Sequence, residues 1–228
     1  MRSALRLTAL CAATTLLAAT GCGVGPSTAP AANPADGAPI VIDSSAPASP
    51  FDGILLGKPF TKPQFTLTDA SGQPFDFTQQ TDGKLTLLYF GYTHCPDVCP
   101  TTMADIAAAL RALPTAESAQ ISVVFVSTDP ARDTPAVIHT WLAQFDPRFI
   151  GLTGAFSTIQ QAATALAIPV SPPTTSADGD YTVTHGAEVL AFNTDDKAHV
   201  LFTAGTTVAQ YDHDLSLLLN GTDMKSPQ

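Results

Sequence analysis

The sequence has few cysteines, few basic residues and no long apolar run after its first 22 residues, and each shortage excludes a class of protein. Its 228 residues include four cysteines, of which two lie within those first 22, so a framework of several disulfides is excluded. Ten lysines and arginines stand against twenty aspartates and glutamates, which excludes a nucleic-acid-binding surface because phosphates need a basic face. What remains is one pair of available thiols, Cys95 and Cys99.

The first 21 residues have the pattern of an export signal. Arg2 and Arg6 give a positive start, and the apolar run that follows is too short for a stable membrane anchor. It ends in Ala-Thr-Gly-Cys22, which resembles a bacterial lipoprotein processing site, where the cysteine sulfur receives a diacylglycerol and becomes the new N-terminus. This resemblance implies a lipid anchor at Cys22 and a place on the extracytoplasmic face of the cell membrane. The alternative, an ordinary secretory signal cut nearby, also takes the protein out of the cytoplasm.

Composition divides the rest of the chain into a tether and a domain. Residues 22–50 are mostly Ala, Pro, Ser and Gly, so they cannot bury enough apolar surface to offset their ordering entropy and are predicted to be a semi-extended tether. Residues 51–228 are predicted to form one domain, with enough chain for a real core.

Strands and helices alternate along this domain, which predicts an α/β fold. Residues 64–77 predict an N-terminal strand hairpin around a Ser71-Gly72 turn. Further strands are predicted at 85–90, 121–126, 149–152, 187–192 and 199–203. Helices are predicted at 101–113, 134–145, 157–167 and 208–219. The order indicates a mixed central sheet flanked by helices, and cysteines just after the first central strand lie where a thioredoxin-like fold places its reactive thiols.

Cys95 and Cys99 are four residues apart, a spacing with more than one use. If one helix includes both, their sulfurs share a face and their Cα atoms are about 6 Å apart. That distance fits a disulfide, and it fits two thiolates on one ion equally well. A helix N-terminus also favours the thiolate, which metal binding and thiol exchange both require.

The chemistry of the thiolates favours copper if a histidine can reach the pair. Soft thiolates select Cu(I), zinc or iron–sulfur clusters, and two cysteines are too few for a cluster. Structural zinc normally takes four protein ligands, whereas two thiolates and one imidazole make a trigonal Cu(I) site. A permanent disulfide is the structural alternative, although so small a loop would stabilise the domain little.

Three motifs in order resemble those of the Sco/SenC family of copper proteins. They are Gly91-Tyr-Thr-His-Cys-Pro-Asp-Val-Cys-Pro100, Val126-Ser-Thr-Asp-Pro-Ala-Arg-Asp-Thr134 and Asp180-Tyr-Thr-Val-Thr-His185. The resemblance covers residues 51–220 and implies a thioredoxin-like fold tethered outside the cytoplasm. It also implies that copper, as Cu(I) or Cu(II), binds to the two cysteines of the Cys-x-x-x-Cys motif and to one distal histidine. Carried over by position, the ligands are Cys95, Cys99 and His185.

The same resemblance implies a copper metallochaperone, which need not be an enzyme. Its partners would be a copper donor and the subunit of cytochrome c oxidase that holds the copper A centre. A rival from another class is a thiol–disulfide oxidoreductase, in which Cys95 and Cys99 are catalytic and reduce the acceptor's cysteines. A weaker third is a peroxidase-like thiol enzyme on the same fold. His185 discriminates between the first two, because disulfide exchange needs no distal imidazole.

Further residues are candidates to tune the site without binding the metal. They are Asp97, between the cysteines, and Asp129 and Asp133, after the second central strand; the alternative for each is a capped turn or helix. The polar segment 172–180 is predicted to be a mobile loop that brings His185 to the thiolates.

The other histidines, and the neighbours of His185, are also informative. The family often has Asp before the ligand histidine and Ser or Thr after it, whereas this chain has Thr184 and Gly186. The remaining histidines are not expected to be metal ligands; they are His94, His139, His199 and His213.

Overall fold

A computed structural model describes residues 49–179 and 181–221 of the chain. The predicted signal peptide (1–21), the lipidation site at Cys22 and all but the last two residues of the tether (22–50) lie outside the described residues. These parts of the sequence analysis therefore stay predictions.

Within the described residues, ten strands and six helices follow one another along the chain. The strands are β1 (Ile54–Thr61), β2 (Thr66–Asp69), β3 (Pro74–Asp76), β4 (Leu85–Gly91), β5 (Ile121–Ser127), β6 (Ile150–Thr153), β7 (Ser171–Thr175), β8 (Tyr181–Thr184), β9 (Val189–Phe192) and β10 (Lys197–Phe202). The helices are α1 (Phe77–Gln80), α2 (Val98–Ala112), α3 (Thr115–Ser118), α4 (Pro135–Leu142), α5 (Phe156–Ala165) and α6 (Val208–Leu219).

Eight of the strands form one mixed sheet in the order β1-β10-β9-β4-β5-β6-β2-β3. The central pairs β4–β5 and β5–β6 are parallel, and β9 pairs with β4 antiparallel. Every residue of β4 and β5 is buried, and both strands lie where they are predicted, at 85–90 and 121–126, each extended by one residue. The predicted mixed α/β architecture is confirmed, including the hairpin of β2 and β3, whose turn has Gly72 at a φ of 83°.

Helices cover both faces of this sheet. Successive side chains of a strand point to opposite faces, and those of the buried central strands are packed on both. On one face, Tyr89 of β4 packs in the same cluster as Cys99 of α2. On the other face, Phe90 packs in a cluster with Ile159 of α5. The helix that carries Cys99 therefore lies directly against the central strands.

Of two helix starts, one agrees with the sequence prediction and the other comes earlier in the chain. Thr134 caps α4, its side chain accepting from the Val137 N–H, and Pro135 occupies the first turn, in agreement with the helix predicted from residue 134. By contrast, α2 begins at Val98, three residues before the predicted start at residue 101. This earlier start places Cys99 inside the first turn of the helix.

Three strands differ from the sequence-based expectation. β1, which pairs with β10, was not predicted; Gly57 and Pro59 interrupt its pattern, and its register shifts between Leu55 and Phe60. The segment 172–180, predicted to be a mobile loop, contributes most of β7, which forms a separate two-stranded sheet with β8. His185 follows immediately after that small sheet.

None of the helices in the part of the chain that the structure describes is long and apolar enough to cross a membrane.

A buried carboxylate in α6 binds the backbone just before β1, and its removal should destabilise the domain. Asp214 is fully buried and accepts the backbone N–H groups of Asp52 and Gly53 at 2.9 Å and 2.7 Å. We expect Asp214→Ala to lower the free energy of unfolding by about 2–3 kcal/mol, because two donors lose a charged acceptor. Asp212→Ala, on the partly exposed neighbour, should change it by less than about 0.5 kcal/mol. Urea titrations of both variants measure this; equal midpoints would contradict it.

Candidate metal centre

The structure brings together the three residues that were predicted as metal ligands. The Nε2 atom of His185 lies 3.9 Å from the sulfur of Cys95 and 3.9 Å from the sulfur of Cys99. All three ligand atoms lie within 4.8 Å of one another, and both cysteines are free thiols. Nitrogen and sulfur ligands about 2.0–2.3 Å from one soft ion would be about 4 Å apart, so this arrangement is close enough to hold a metal.

A turn between β4 and α2 positions the two sulfurs. Only Cys99 lies in the helix; Cys95 lies in the preceding turn, where its N–H donates to the carbonyl of Tyr92 at 3.2 Å. The Cys99 N–H, at the start of α2, points at the sulfur of Cys95, 3.5 Å away. The sulfurs therefore converge because the turn places Cys95 beside the helix N-terminus, and not because both occupy one helical face.

Room for the buried sulfur comes from a glycine at the end of β4. A Cβ at Gly91 would lie 2.8 Å from the sulfur of Cys99 and 2.8 Å from the ring of Tyr89. Such contacts are shorter than packed atoms tolerate, so any side chain here would displace the sulfur. In the sequence Gly91 is only the first residue of the cysteine motif, and the spatial requirement for glycine is visible in the structure alone.

Burial disfavours the thiolate form of Cys99, whereas a position at a helix N-terminus is expected to favour it. Burial raises the pKa of Cys99 to about 12, and this outweighs the opposing hydrogen bond from the Tyr89 hydroxyl, 3.4 Å from its sulfur. In the metal-free protein at neutral pH the Cys99 thiol is therefore protonated. A metal that binds here must displace that proton, which makes binding pH-dependent.

His185 presents one defined nitrogen to the sulfurs. Its Nδ1 lies 2.6 Å from the carbonyl of Gly186, so Nδ1 carries the proton and Nε2 is free to bind a metal. The rings of Tyr89 and Tyr92 meet the imidazole edge-on, with centroids 6.3 Å and 5.3 Å away. These contacts hold the ring with its Nε2 toward the thiols.

The glycine after the histidine, where the family often has Ser or Thr, has a steric cause. A Cβ at Gly186 would lie 2.4 Å from a carboxylate oxygen of Glu188 and 2.5 Å from Cγ2 of Ile168. Neither neighbour leaves space for even a methyl group in the observed arrangement.

Asp133 fixes the cysteine loop to the end of β5. Its carboxylate is fully buried and accepts the Thr93 N–H at 2.9 Å, the Thr93 hydroxyl at 2.6 Å and the Ser127 hydroxyl at 2.6 Å. Thr93 lies two residues before Cys95. The carboxylate therefore holds the backbone of the loop that presents the first thiol.

Asp129 makes an equivalent connection to the histidine side of the site. It is also fully buried, accepts the Tyr181 hydroxyl at 2.7 Å and pairs with the guanidinium of Arg132. Asp97, in contrast, is exposed, and its side chain makes no capping hydrogen bond with α2. Asp97 does stand at the N-cap position of α2, but it takes part only through its backbone carbonyl, which accepts the Thr101 N–H at 3.4 Å.

The other histidines lie outside the cluster of ligand atoms. His94 is exposed and its Nδ1 contacts the hydroxyl of Thr93, while His139 is exposed on α4. His199 is partly buried and pairs with Asp195. His213 lies near two aspartates, one of which already accepts the backbone N–H groups at the entry to β1.

Comparison with known proteins identifies related sequences. The SCO1/SenC family model matches residues 55–220. A Stutzerimonas stutzeri protein whose name describes it as copper-binding is 35% identical over 156 residues, which cover 68% of this chain and 76% of that protein. The mitochondrial protein SCO1 of Saccharomyces cerevisiae is 35% identical over 131 residues, covering 57% of this chain. The match spans only 44% of the yeast protein's length.

Solved structures give the same relationship. ScoI of Bradyrhizobium japonicum, with copper bound, superposes with a TM-score of 0.62 at 35% identity, covering 69% of this chain and 99% of that chain. Apo Sco1 of Thermus thermophilus superposes with a TM-score of 0.66 at 30% identity, covering 77% and 99%. The predicted thioredoxin-like Sco fold is confirmed.

The two thiols should react at very different rates. In the reduced, metal-free full chain at pH 8, we expect iodoacetamide to modify Cys95 at least about tenfold faster than Cys99, because the thiolate is the nucleophile and Cys99 is buried with its pKa raised to about 12. Mass spectrometry of the two cysteines over time measures the rates. In urea the difference should vanish, and equal rates in the folded chain would contradict the buried, protonated state of Cys99.

Proposed function

Because the chain belongs to the SCO1/SenC family, we propose that it is an extracytoplasmic copper metallochaperone. It binds copper through Cys95, Cys99 and His185 and delivers the ion to the copper A centre of cytochrome c oxidase. The observation that carries this proposal is the position of the His185 Nε2 atom, 3.9 Å from each of two free thiols. The copper in the related Bradyrhizobium japonicum structure supports the choice of metal.

The donor set itself favours copper over zinc. Two sulfurs and one imidazole nitrogen are soft ligands, and among the described residues the cluster contains no fourth His, Cys, Asp or Glu. Structural zinc sites are normally closed by four protein ligands, whereas Cu(I) accepts three. The site therefore suits Cu(I) as cargo, and the same ligands could also hold Cu(II).

Unequal exposure of the ligands gives delivery a direction. Cys95 and His185 are partly exposed, while Cys99 is fully buried. An acceptor can reach the ion only from the exposed side, where its own ligands replace Cys95 and His185 first. Cys99 releases the ion last, and regaining its proton, as its raised pKa favours, makes the release harder to reverse.

A lipid on Cys22 would keep this chemistry at the outer face of the cell membrane, where a membrane oxidase could receive the copper. Cys22→Ala should move the exported protein from the membrane fraction to the soluble fraction of lysed cells. Fractionation followed by immunoblotting measures this, with Cys11→Ala as the control that should stay with the membrane. A Cys22→Ala protein that also stays with the membrane would contradict the anchor.

The unequal thiols also support a second function, a thiol–disulfide oxidoreductase. The accessible Cys95 thiolate would attack an acceptor disulfide and form a mixed disulfide. Cys99 would then attack Cys95, releasing the acceptor as a dithiol and leaving Cys95 and Cys99 oxidised to a disulfide. This reaction uses both sulfurs and no imidazole.

An anaerobic Cu(I) titration tests the proposed copper site. The reduced full chain, purified in detergent, should bind one Cu(I) in competition with a chromogenic chelator. His185→Ala removes a ligand and should weaken Cu(I) binding about 100-fold or more. This exceeds the roughly 10–100-fold loss that follows when only a hydrogen-bond partner of a ligand is removed. His139→Ala, on the exposed histidine of α4, is the matched control and should bind like the wild type.

His185→Ala, together with Cys95→Ser, separates the two functions. If His185→Ala binds Cu(I) as tightly as the wild type, or if neither binds, the three-ligand site is wrong and the protein is a thiol redox protein. Reduction of a disulfide-bonded acceptor should survive in His185→Ala and be lost in Cys95→Ser.

A further inference from the structure

The position of His185 before any metal binds needs an explanation. His185 lies 86 residues after Cys99 in the chain. It follows β8, whose small sheet with β7 is not part of the central sheet. Most side chains of β7 and β8 are exposed, so the two strands bury little apolar surface. Side-chain contacts to the rest of the domain must therefore hold His185 opposite the sulfurs.

Tyr181, the first residue of β8, makes such contacts. Its hydroxyl donates to the buried carboxylate of Asp129 at 2.7 Å. The guanidinium carbon of Arg132 lies 4.0 Å from the centre of the Tyr181 ring, a cation–π distance, and Arg132 also donates to Asp129. Asp129 is held in turn, since its N–H donates to the Ser127 hydroxyl at 3.0 Å. Tyr181, Asp129 and Arg132 thus form one closed set of contacts, called the latch below.

The backbone just before β7 is held by a contact outside the latch. The side chain of Gln160 in α5 donates to the carbonyl of Val170, just before β7, at 3.2 Å. The strand that leads directly into His185 is therefore the one secured by the latch.

The segment that holds Tyr181 also holds the cysteine loop. Residues 127–133 contain both Asp129, bound by Tyr181, and Asp133, bound by Thr93 beside Cys95. Ser127, Asp129 and Asp133 are fully buried, so this segment has little freedom to move. It connects the histidine side of the site to the cysteine side through these two carboxylates.

We propose that Tyr181 is a positioning residue whose hydrogen bond to Asp129 keeps His185 opposite the two thiols, and that opening this latch lets copper leave. The inference rests on the proposed copper-binding function and deepens it. Tyr181 is 39% exposed, so an approaching partner can contact this residue and draw its hydroxyl away from Asp129. Once the latch is open, β8 can carry His185 away and leave the ion on two sulfurs.

The first arm of the test uses the metal-free full chain in detergent. Tyr181→Phe removes the hydroxyl and keeps the ring on Arg132, while Thr182→Ala alters the exposed neighbour on the same strand. Amide hydrogen exchange, followed by mass spectrometry, should be about tenfold faster over residues 181–185 in Tyr181→Phe. It should be unchanged in Thr182→Ala, and in β9 of both variants.

The second arm measures the rate at which Cu(I) leaves for an excess of chelator. Tyr181→Phe should release Cu(I) about tenfold faster than the wild type. In a His185→Ala background the same substitution should have no effect, because the latch acts only through the imidazole. A residue that merely stabilised the fold would change the rate equally in both backgrounds.

Three results would overturn the latch. They are unchanged exchange over 181–185, unchanged Cu(I) release, or equal acceleration with and without His185. A wild-type chain that binds no Cu(I) would overturn the proposed function together with the release step; the exchange arm would then decide by itself whether Tyr181 holds β8.

Discussion

The pairing of β4 with its two neighbours is the constraint on which the site depends. In parallel with β5, Gly91 at the end of β4 stands opposite Ser127, so the loops that follow the two strands begin at the same sheet edge. On its other side β4 pairs antiparallel with β9, and Tyr89 stands opposite Val189. The chain therefore enters β9 where β4 ends, and the preceding residues, including His185, must emerge beside the cysteines. If β5 or β9 shifted by one residue against β4, every side chain of the shifted strand would point to the opposite face of the sheet.

Burial gives the two thiols, Cys95 and Cys99, different chemical properties. The missing side chain at Gly91 admits the sulfur of Cys99 into the core, where solvation of a thiolate is lost. Cys95, one turn away, keeps contact with solvent. The same packing that stabilises the domain thus assigns one sulfur to exchange with partners and the other to retention of the ion.

Local patterns predicted the parts of the fold that local energies decide. Continuous apolar runs identified β4 and β5, and Thr134-Pro135 identified the start of α4. β7 was missed because Pro172 and Pro173 are typical of loops, and its strand pairing depends on contacts made elsewhere. His185 was found through resemblance alone, since no local spacing links it to Cys99, 86 residues earlier. The fold and the side-chain contacts of β8 bring the two residues together. The partners of Asp129 and Asp133 likewise required the structure.

The close packing around Gly186 restricts how this sequence can diverge. One carboxylate oxygen of Glu188 is buried, accepts no hydrogen bond from any described residue, and occupies the space beside the Gly186 Cα. Positions 186 and 188 therefore cannot vary independently. A serine or threonine at 186 requires the Glu188 carboxylate and the Ile168 side chain to move away, so the residues tolerated at 186 depend on those at 188 and 168. A side chain introduced at 186 without compensating space at 188 and 168 would distort the segment that carries the ligand histidine.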